Sequence, residues 1–296
     1  MDALFFDRVF GLVPQEYKDL AEFQAMHHAA AAGMLPIDAA ILGGAMADRL
    51  GYAFAAGYRA AVRYLVPEVR RPASLGVTEA GGGRPRDIQS RVEVRGSVLR
   101  LRGRKRWATL AGEGEVLLVV ASTGWEGERN QLRLVQVPIG TPGLGLTSMP
   151  DTPFTPEIPH YSVDMDLELP VEAMLPGDAF TRYVRPFRTV EDTFVGAATA
   201  ALLMQVRDAA TLPRLAALLL TYRQLSFLDP AASTTHIALA GAQQNLEILA
   251  EVCAWAGPAA ARWARDRALL QVAAGVRAQR LTLALERYDR PFPVEA

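Results

Sequence analysis

The chain has 296 residues, half of them hydrophobic, and a formal net charge of −1 at pH 7. Its length allows one large domain or two or three smaller ones, and its near-zero charge argues against a nucleic-acid binder that neutralises phosphates. The single cysteine, Cys253, excludes an internal disulfide framework and fits a reducing compartment. It lies in an alanine-rich helical run, which predicts a buried and inert thiol. Early charged residues and the lack of a long uncharged apolar stretch predict a cytoplasmic protein without signal peptide or membrane span.

The N-terminal part, residues 1–72, is predicted to be a helical domain. Residues 15–32 and 36–64 are rich in Ala, Leu and Met, and a Gly-Met-Leu-Pro break separates them. His27 and His28 are adjacent in the first of these stretches. Adjacent side chains diverge on a helix, so the pair is a poor metal site. We expect solvated or capping histidines and predict no metal site.

Residues 73–183 are predicted to form a middle β-domain because the hydrophobic period changes to two. Residues 91–95 and 98–102 alternate on either side of a Gly-Ser turn, which predicts a hairpin. Further strands are predicted at residues 115–121, 131–137 and 161–169. Several short strands separated by Gly and Pro turns are typical of a small barrel or sandwich.

Two charged stripes accompany these strands. Asp164, Asp166 and Glu168 share one face of their strand, and such spacing is more typical of a solvated face than of a metal site. A second stripe consists of arginines at every other position: Arg100, Arg102, Arg104 and Arg106. This second stripe is either another solvated face or a contact for phosphate.

Residues 184–296 are predicted to form a C-terminal helical domain. Candidate helices cover residues 188–207, 212–227, 234–256 and 259–288, and proline-containing breaks separate them. The tail Arg290–Pro293 is predicted to be irregular. The resulting order of helices, strands and helices predicts an α+β fold with a central β-domain between two helical parts.

The stretch that carries most chemical information begins at Leu75 and ends at Thr109. A predicted strand runs into Gly81-Gly82-Gly83, where the backbone can approach a ligand closely and offer N–H groups to an anion. A later strand carries Trp107 and Thr109, which project to one face if the strand is regular. Each half alone has a simpler interpretation, a solvated loop for the glycines and a core position for the tryptophan.

Together the two halves resemble the middle domain of the acyl-CoA dehydrogenase family. In that family a strand leads into Thr-Glu-Pro-Gly-Ala-Gly-Ser, and a later strand reads Gly-x-Lys-x-Trp-Ile-Thr. The matching residues are Thr78, Glu79, Gly81, Gly83, Gly103, Lys105, Trp107 and Thr109. Ala80 replaces the proline and Arg84 replaces the serine. Residues 58–67 and 167–177 also resemble the segments that flank this domain.

The resemblance implies a flavoprotein oxidoreductase that dehydrogenates an acyl thioester between its α and β carbons. In that chemistry a carboxylate removes the α proton and FAD accepts the hydride. The residues implied to line the flavin ring are Val77, Thr78, Trp107 and Thr109. Gly83 is implied to lie near the pyrophosphate. Arg84 either pairs with a phosphate or fills the phosphate site.

The resemblance also implies a candidate base, Glu191. In some members of the family the base comes from the start of the first C-terminal helix, and residues 191–198 resemble that segment, although Asp192 replaces an arginine. The charge of Asp192 is expected to disturb the local field. The other interpretation is that Glu191 and Asp192 only favour a helix N-terminus, where negative charge is stabilised.

Two alternatives to the dehydrogenase remain open at this point. Both helical parts are shorter than in the family, and a late Glu-Gly-Thr segment and a Gly-Gly-x-Gly segment are missing. The first alternative is therefore an inactive scaffold or partner subunit that has lost FAD. The second is a flavin monooxygenase on the same scaffold. The Ala-rich C-terminal helices predict a homo-oligomer, or a hetero-oligomer with a longer homologous subunit.

Overall fold

The computed structural model describes residues 2–13 and 15–288, which fall into two compact units. The helical unit contains the described residues up to Ala61, residues 153–155 and those from Thr189 onwards. The β unit contains residues 62–152 and 156–188. The predicted order of helices, strands and helices is confirmed. The domain boundaries at 72/73 and 183/184 stay predictions, and the tail Arg290–Pro293 lies outside the described residues.

The helices agree in position with most of the predicted ones. Those before the sheet are α1 (Asp2–Gly11), α2 (Leu20–Ala30), α3 (Pro36–Met46) and α4 (Leu50–Leu65). Those after it are α5 (Arg185–Leu203), α6 (Leu212–Leu225), α7 (Ser233–Val252), α8 (Gly257–Asp266) and α9 (Ala274–Leu285). A π-helical turn at Phe180–Val184 leads directly into α5.

Two of the predicted helices are interrupted. The stretch 36–64 breaks after α3, where Ala47 takes an extended backbone conformation. The stretch 259–288 breaks between α8 and α9 at a 3-10 turn, Arg267–Gln271. The second break follows Asp266, whose wholly buried carboxylate accepts the backbone N–H of Thr155 at 2.8 Å. That partner lies 111 residues away, so the local pattern cannot reveal it.

Small residues let the helices of this unit approach one another. A Cβ on Gly44 of α3 would collide with the backbone of Ala198 in α5, and one on Gly57 of α4 would lie 2.7 Å from the Cα of Val195. An ion pair of 2.7 Å between Arg223 of α6 and Asp38 of α3 adds a polar tie. The helices before and after the sheet thus share one close-packed interior.

The β unit is built from one eight-stranded mixed sheet. Its strands are β1 (Ala73–Gly76), β2 (Arg91–Arg95), β3 (Val98–Thr109), β4 (Val116–Glu126), β5 (Arg129–Pro138), β6 (Leu144–Ser148), β7 (His160–Pro170) and β8 (Met174–Leu175). The strand order is β6-β7-β3-β2-β4-β5-β8, and β1 pairs with β4 in parallel. The predicted β2–β3 hairpin is confirmed.

The sheet folds around one core, in line with the predicted barrel or sandwich. One half of the sheet contains β6, β7, β3 and β2, and the other contains β1, β4, β5 and β8. A single residue pair, Arg91 with Ser122, joins the two halves through β2 and β4. Buried residues from both halves, such as Leu101 and Val163 on one side and Val119 and Val135 on the other, belong to the same hydrophobic cluster. The inward side chains of each half therefore cover those of the other.

The two charged stripes pair with each other across β3 and β7. Arg100 and Arg102 bond to Asp166 at 2.9 and 3.2 Å, and Arg104 bonds to Asp164. These side chains are partly or largely exposed, so the pairs add little to stability. The interpretation as solvated faces fits, and three of the four arginines are engaged by carboxylates.

The expectation for His27 is wrong. Its Nε2 lies 2.8 Å from the carbonyl oxygen of Ala39, and its ring stacks on Phe23 with centroids 5.7 Å apart. His27 is therefore a packed residue between α2 and α3, whereas His28 is exposed. The cause is tertiary, because α3 folds back against the last turn of α2.

The single cysteine is buried, as the sequence predicts, and burial raises the pKa of the Cys253 thiol. Within residues 2–13 and 15–288, no cluster of three or more His, Cys, Asp or Glu side chains is placed to hold a metal ion. In the same residues, no helix combines the length and apolar character needed to cross a membrane.

Two glycine-to-alanine changes, one at a crowded position and one at an open position, should have opposite effects on stability. Gly44→Ala should lower the free energy of unfolding by about 1–3 kcal/mol, because the new methyl group meets the backbone of Ala198. Gly241→Ala in α7 should raise it by roughly 0.5–1 kcal/mol, because nothing lies near its Cβ and alanine favours a helix. Urea unfolding measures both, and equal effects would contradict this packing.

Candidate functional site

The structure brings the two halves of the predicted motif side by side. Beyond the end of β1 the chain runs along β3, where the backbone N–H of Arg106 donates to the carbonyl of Thr78 at 2.8 Å. The Lys105 ammonium donates to the carbonyl of Val77 at 3.2 Å. These bonds fix the backbone of residues 77–78 next to the strand that carries Trp107.

A buried ion pair ties the same two segments together. Lys105 Nζ lies 2.6 Å from Glu79 Oε1, and the lysine side chain is 0% exposed. The Glu79 carboxylate also accepts the backbone N–H groups of Gln89 and Ser90 at 2.7 and 3.1 Å. One carboxylate thus holds the glycine loop, the approach to β2 and strand β3.

Both members of the ion pair have shifted pKa values. Burial lowers the pKa of Lys105 to about 8, although Glu79 acts in the opposite direction. For Glu79, burial alone would raise the pKa, but the hydrogen bonds and the charge of Lys105 outweigh it, and the pKa is lowered. The carboxylate is therefore held in its charged form.

The glycine loop is a tight turn with little room for side chains. Glu79 and Gly82 exchange backbone hydrogen bonds of 2.9 and 3.1 Å. Gly82 has a φ of +128°, and a Cβ there would lie 2.7 Å from the Asp87 carboxylate, which also accepts the N–H of Arg84. Among the described residues, no bond engages the N–H of Gly83 or the exposed guanidinium of Arg84.

Strand β3 is irregular where the second half of the motif lies. Its pairing with β7 shifts between Lys105 and Ala108, and Trp107 has a φ of +58°. The strand period is therefore broken at Trp107, and regular alternation does not determine where Trp107 and Thr109 project. The bulge leaves Trp107 48% exposed, so the alternative of a core tryptophan is wrong.

Trp107 and Thr109 nevertheless both contact one residue that no sequence motif predicts. Thr109 Oγ1 lies 3.1 Å from His160 Nδ1, and the Trp107 ring meets the His160 ring edge to face at 5.6 Å. His160 begins β7 and pairs directly with Thr109. Burial lowers the pKa of His160. No local motif marks this histidine, since the pairing of β3 with β7 brings it to the site.

Glu191 lies in the helical unit, whereas the residues implied to line the flavin ring lie in the β unit. Glu191 is half-buried in α5, which begins at Arg185 and has no acidic residue in its first turn. The interpretation that Glu191 and Asp192 favour a helix N-terminus is therefore wrong. The sequence predicts the start of this helix at residue 188, but the preceding π-helical turn leads into α5 already at Arg185.

The charge of Asp192 is matched by two arginines of α9. Its carboxylate lies 2.6 Å from Arg280 and 3.8 Å from Arg277. Arg277 in turn lies 3.7 Å from Glu247 of α7. The expected disturbance from Asp192 is thus offset within the helical unit, because opposite charges face it at short range.

Comparison with known proteins rests on structure. No protein-family model matches the sequence, and no curated protein matches it. Butyryl-CoA dehydrogenase from Megasphaera elsdenii is similar over 98% of this chain and 89% of its own, with 14% identity and a TM-score of 0.63. The fold is that of the acyl-CoA dehydrogenases.

Two further solved structures show the same likeness. Glutaryl-CoA dehydrogenase from Mycobacterium smegmatis, in complex with FADH2, matches 95% of this chain and 88% of its own, at 14% identity and a TM-score of 0.65. The prolyl acyl carrier protein oxidase AnaB matches 96% and 98%, at 13% identity and a TM-score of 0.67. At these identities the likeness establishes the fold alone.

The buried pair predicts a large cost for removing one partner. Lys105→Met should lower the free energy of unfolding by about 3–5 kcal/mol, because it leaves the Glu79 carboxylate buried without a cation. The double variant Lys105→Met with Glu79→Gln should recover part of this loss, because no unpaired charge stays buried and the single amide oxygen can still accept from either Gln89 or Ser90. Urea unfolding of the three proteins measures this, and a single variant as stable as wild type would contradict it.

Proposed function

We propose that this protein binds FAD on the β unit and dehydrogenates an acyl thioester. One observation carries the proposal: the two halves of the motif, distant in sequence, meet through the Lys105–Glu79 pair and the bond from Arg106 to Thr78. An exposed indole at Trp107 stands at this junction. A flat aromatic ring is a suitable ligand for such a surface.

The residues present fit the cofactor at both of its ends. Val77, Thr78, Trp107 and Thr109 are partly or largely exposed and offer an aromatic face with hydroxyl groups. At the loop, the free N–H of Gly83 and the exposed guanidinium of Arg84 are suitable donors for a pyrophosphate. An exposed Arg84 favours phosphate pairing over the alternative in which its side chain fills the site.

When bound, FAD supplies the two-electron acceptor for the dehydrogenation. The chain itself contributes the base, and we assign this role to Glu191. Its half-buried carboxylate takes the proton from the carbon next to the thioester carbonyl. The pairing of Asp192 with Arg277 and Arg280 supports this assignment, because the two arginines offset the negative charge of the residue next to Glu191.

The similar structures support a thioester as the substrate. Two are dehydrogenases of butyryl-CoA and glutaryl-CoA, and one is an oxidase of a prolyl group on an acyl carrier protein. The thioester is the feature common to these substrates. Our proposal is therefore an acyl thioester, with either coenzyme A or a carrier protein as the thiol.

Self-association is part of the proposal. The C-terminal helices expose several large apolar side chains, which are Leu220, Ile248, Val252, Val276, Leu283 and Leu285. Exposed apolar side chains of this kind are suitable for contact with another subunit. We propose a homo-oligomer, with a longer homologous subunit as the alternative partner.

FAD binding is tested by replacing the exposed tryptophan of the motif. Trp107→Ala should weaken FAD binding about fivefold or more, because an aromatic stacking surface worth roughly 1 kcal/mol is lost. Val94→Ala is the control, since Val94 is 49% exposed on the same unit and lies outside the motif. Titration with FAD, followed by flavin absorbance and fluorescence, measures both affinities.

Two results would contradict this part of the proposal. If the wild-type protein purifies colourless and fails to take up FAD, a scaffold that has lost the cofactor is favoured. If Val94→Ala weakens binding as much as Trp107→Ala, the ring does not lie at the motif.

The base is tested by rapid mixing of the FAD-loaded protein with a panel of acyl-CoA thioesters. Wild type should bleach the flavin, and Glu191→Gln should bleach it at least about a hundredfold more slowly, the usual effect of losing a general base. Glu251→Gln, an exposed glutamate of α7, should behave as wild type. Equal bleaching in wild type and Glu191→Gln would assign the base to another residue.

A further inference from the structure

His160 is held on two sides by residues of the proposed ring site. Its Nδ1 lies 3.1 Å from the hydroxyl oxygen of Thr109, and its ring meets the Trp107 indole edge to face at 5.6 Å. Its own backbone carbonyl accepts the N–H of Met149 at 2.9 Å. Both the main chain and the ring of this histidine are thus anchored.

The two neighbours of His160 need such an anchor. A threonine hydroxyl rotates freely unless a partner fixes the direction of its proton. Trp107 lies on a bulge, is half exposed and has a left-handed backbone conformation, so the strand alone does not orient its indole. The side chain of His160 contacts both the Thr109 hydroxyl and the Trp107 ring.

We propose that His160 is a positioning residue of the ring site, whose Nδ1 fixes the Thr109 hydroxyl while its ring holds the Trp107 indole. The inference rests on the proposed FAD binding. A flat ligand then meets a surface that is ordered before it arrives, and binding does not have to order the two side chains. His160 acts through Thr109 and Trp107 and need not touch the ligand.

Three substitutions separate the functions of the imidazole. Asparagine places a polar atom near the position of Nδ1, glutamine places one near Nε2, and phenylalanine keeps an aromatic ring without nitrogen. His160→Asn, which loses the ring, and His160→Phe, which loses the bond to Thr109, should each weaken FAD binding about threefold, whereas His160→Gln, which loses both, should weaken it about tenfold. Urea unfolding identifies any variant that fails to fold.

A double variant tests whether Thr109 transmits the effect. In a Thr109→Val background, His160→Phe should cost much less FAD affinity than it does in wild type, because the hydrogen bond is already absent. A smaller loss with glutamine than with asparagine would overturn the inference, since it would mean that Nε2 contacts the ligand directly. Equal affinities for all variants, or fully additive losses in the double variant, would also overturn it.

A measurement on the free protein separates this inference from FAD binding. Nitrogen-15 NMR of the ring nitrogens, with His160 assigned from the signal missing in His160→Phe, reports the tautomer. One tautomer should dominate in wild type, and Thr109→Val should produce a mixture. If wild type binds FAD but the tautomer ratio of His160 is unchanged in Thr109→Val, this inference alone is overturned. If the tautomer responds but FAD does not bind, the hydrogen bond is upheld and the proposed function is overturned.

Discussion

The candidate site depends on one buried ion pair, that of Lys105 with Glu79. Burying an ammonium and a carboxylate is costly, and the cost is tolerable here because each group has further partners: Val77 for the lysine, and Gln89 and Ser90 for the glutamate. Through these bonds the pair connects three chain segments that are not adjacent in sequence. The glycine loop, the approach to β2 and the middle of β3 are held in one arrangement as a result.

The irregular part of β3 converts this arrangement into an accessible surface. Gly103 has a φ of +137°, and a Cβ there would lie 2.6 Å from the Cα of Ser90, so glycine is needed where β3 passes the start of β2. The bulge that follows turns Trp107 outwards and keeps Thr109 in register with His160. A regular strand would not give this arrangement, because the strict alternation of its side chains would fix the face on which the indole lies. Positive φ at a tryptophan is strained, and such strain is typical of functional positions.

In the helical unit, close packing at small residues determines how the helices are arranged. Glycines and alanines on α3, α4 and α5 let backbones meet, and Gly196 leaves space for the fully buried ring of Tyr222. Ion pairs also connect these helices, such as Asp38 with Arg223 and Asp192 with Arg280. This packing fixes α5, the helix that carries Glu191. A rigid helix is a better support for the base that we propose than a loop.

The sequence by itself determined the order of the elements, the β2–β3 hairpin, the glycine loop and the burial of Cys253. Each of these follows from short-range signals, namely hydrophobic period, turn residues and breaks. Tertiary structure alone decided the burial of Lys105 against Glu79, the outward indole of Trp107, the packing of His27 on Ala39 and the place of His160 beside Thr109. The last pair is 51 residues apart in the chain. Such contacts depend on strand pairing and helix packing over long separations, which no local pattern encodes.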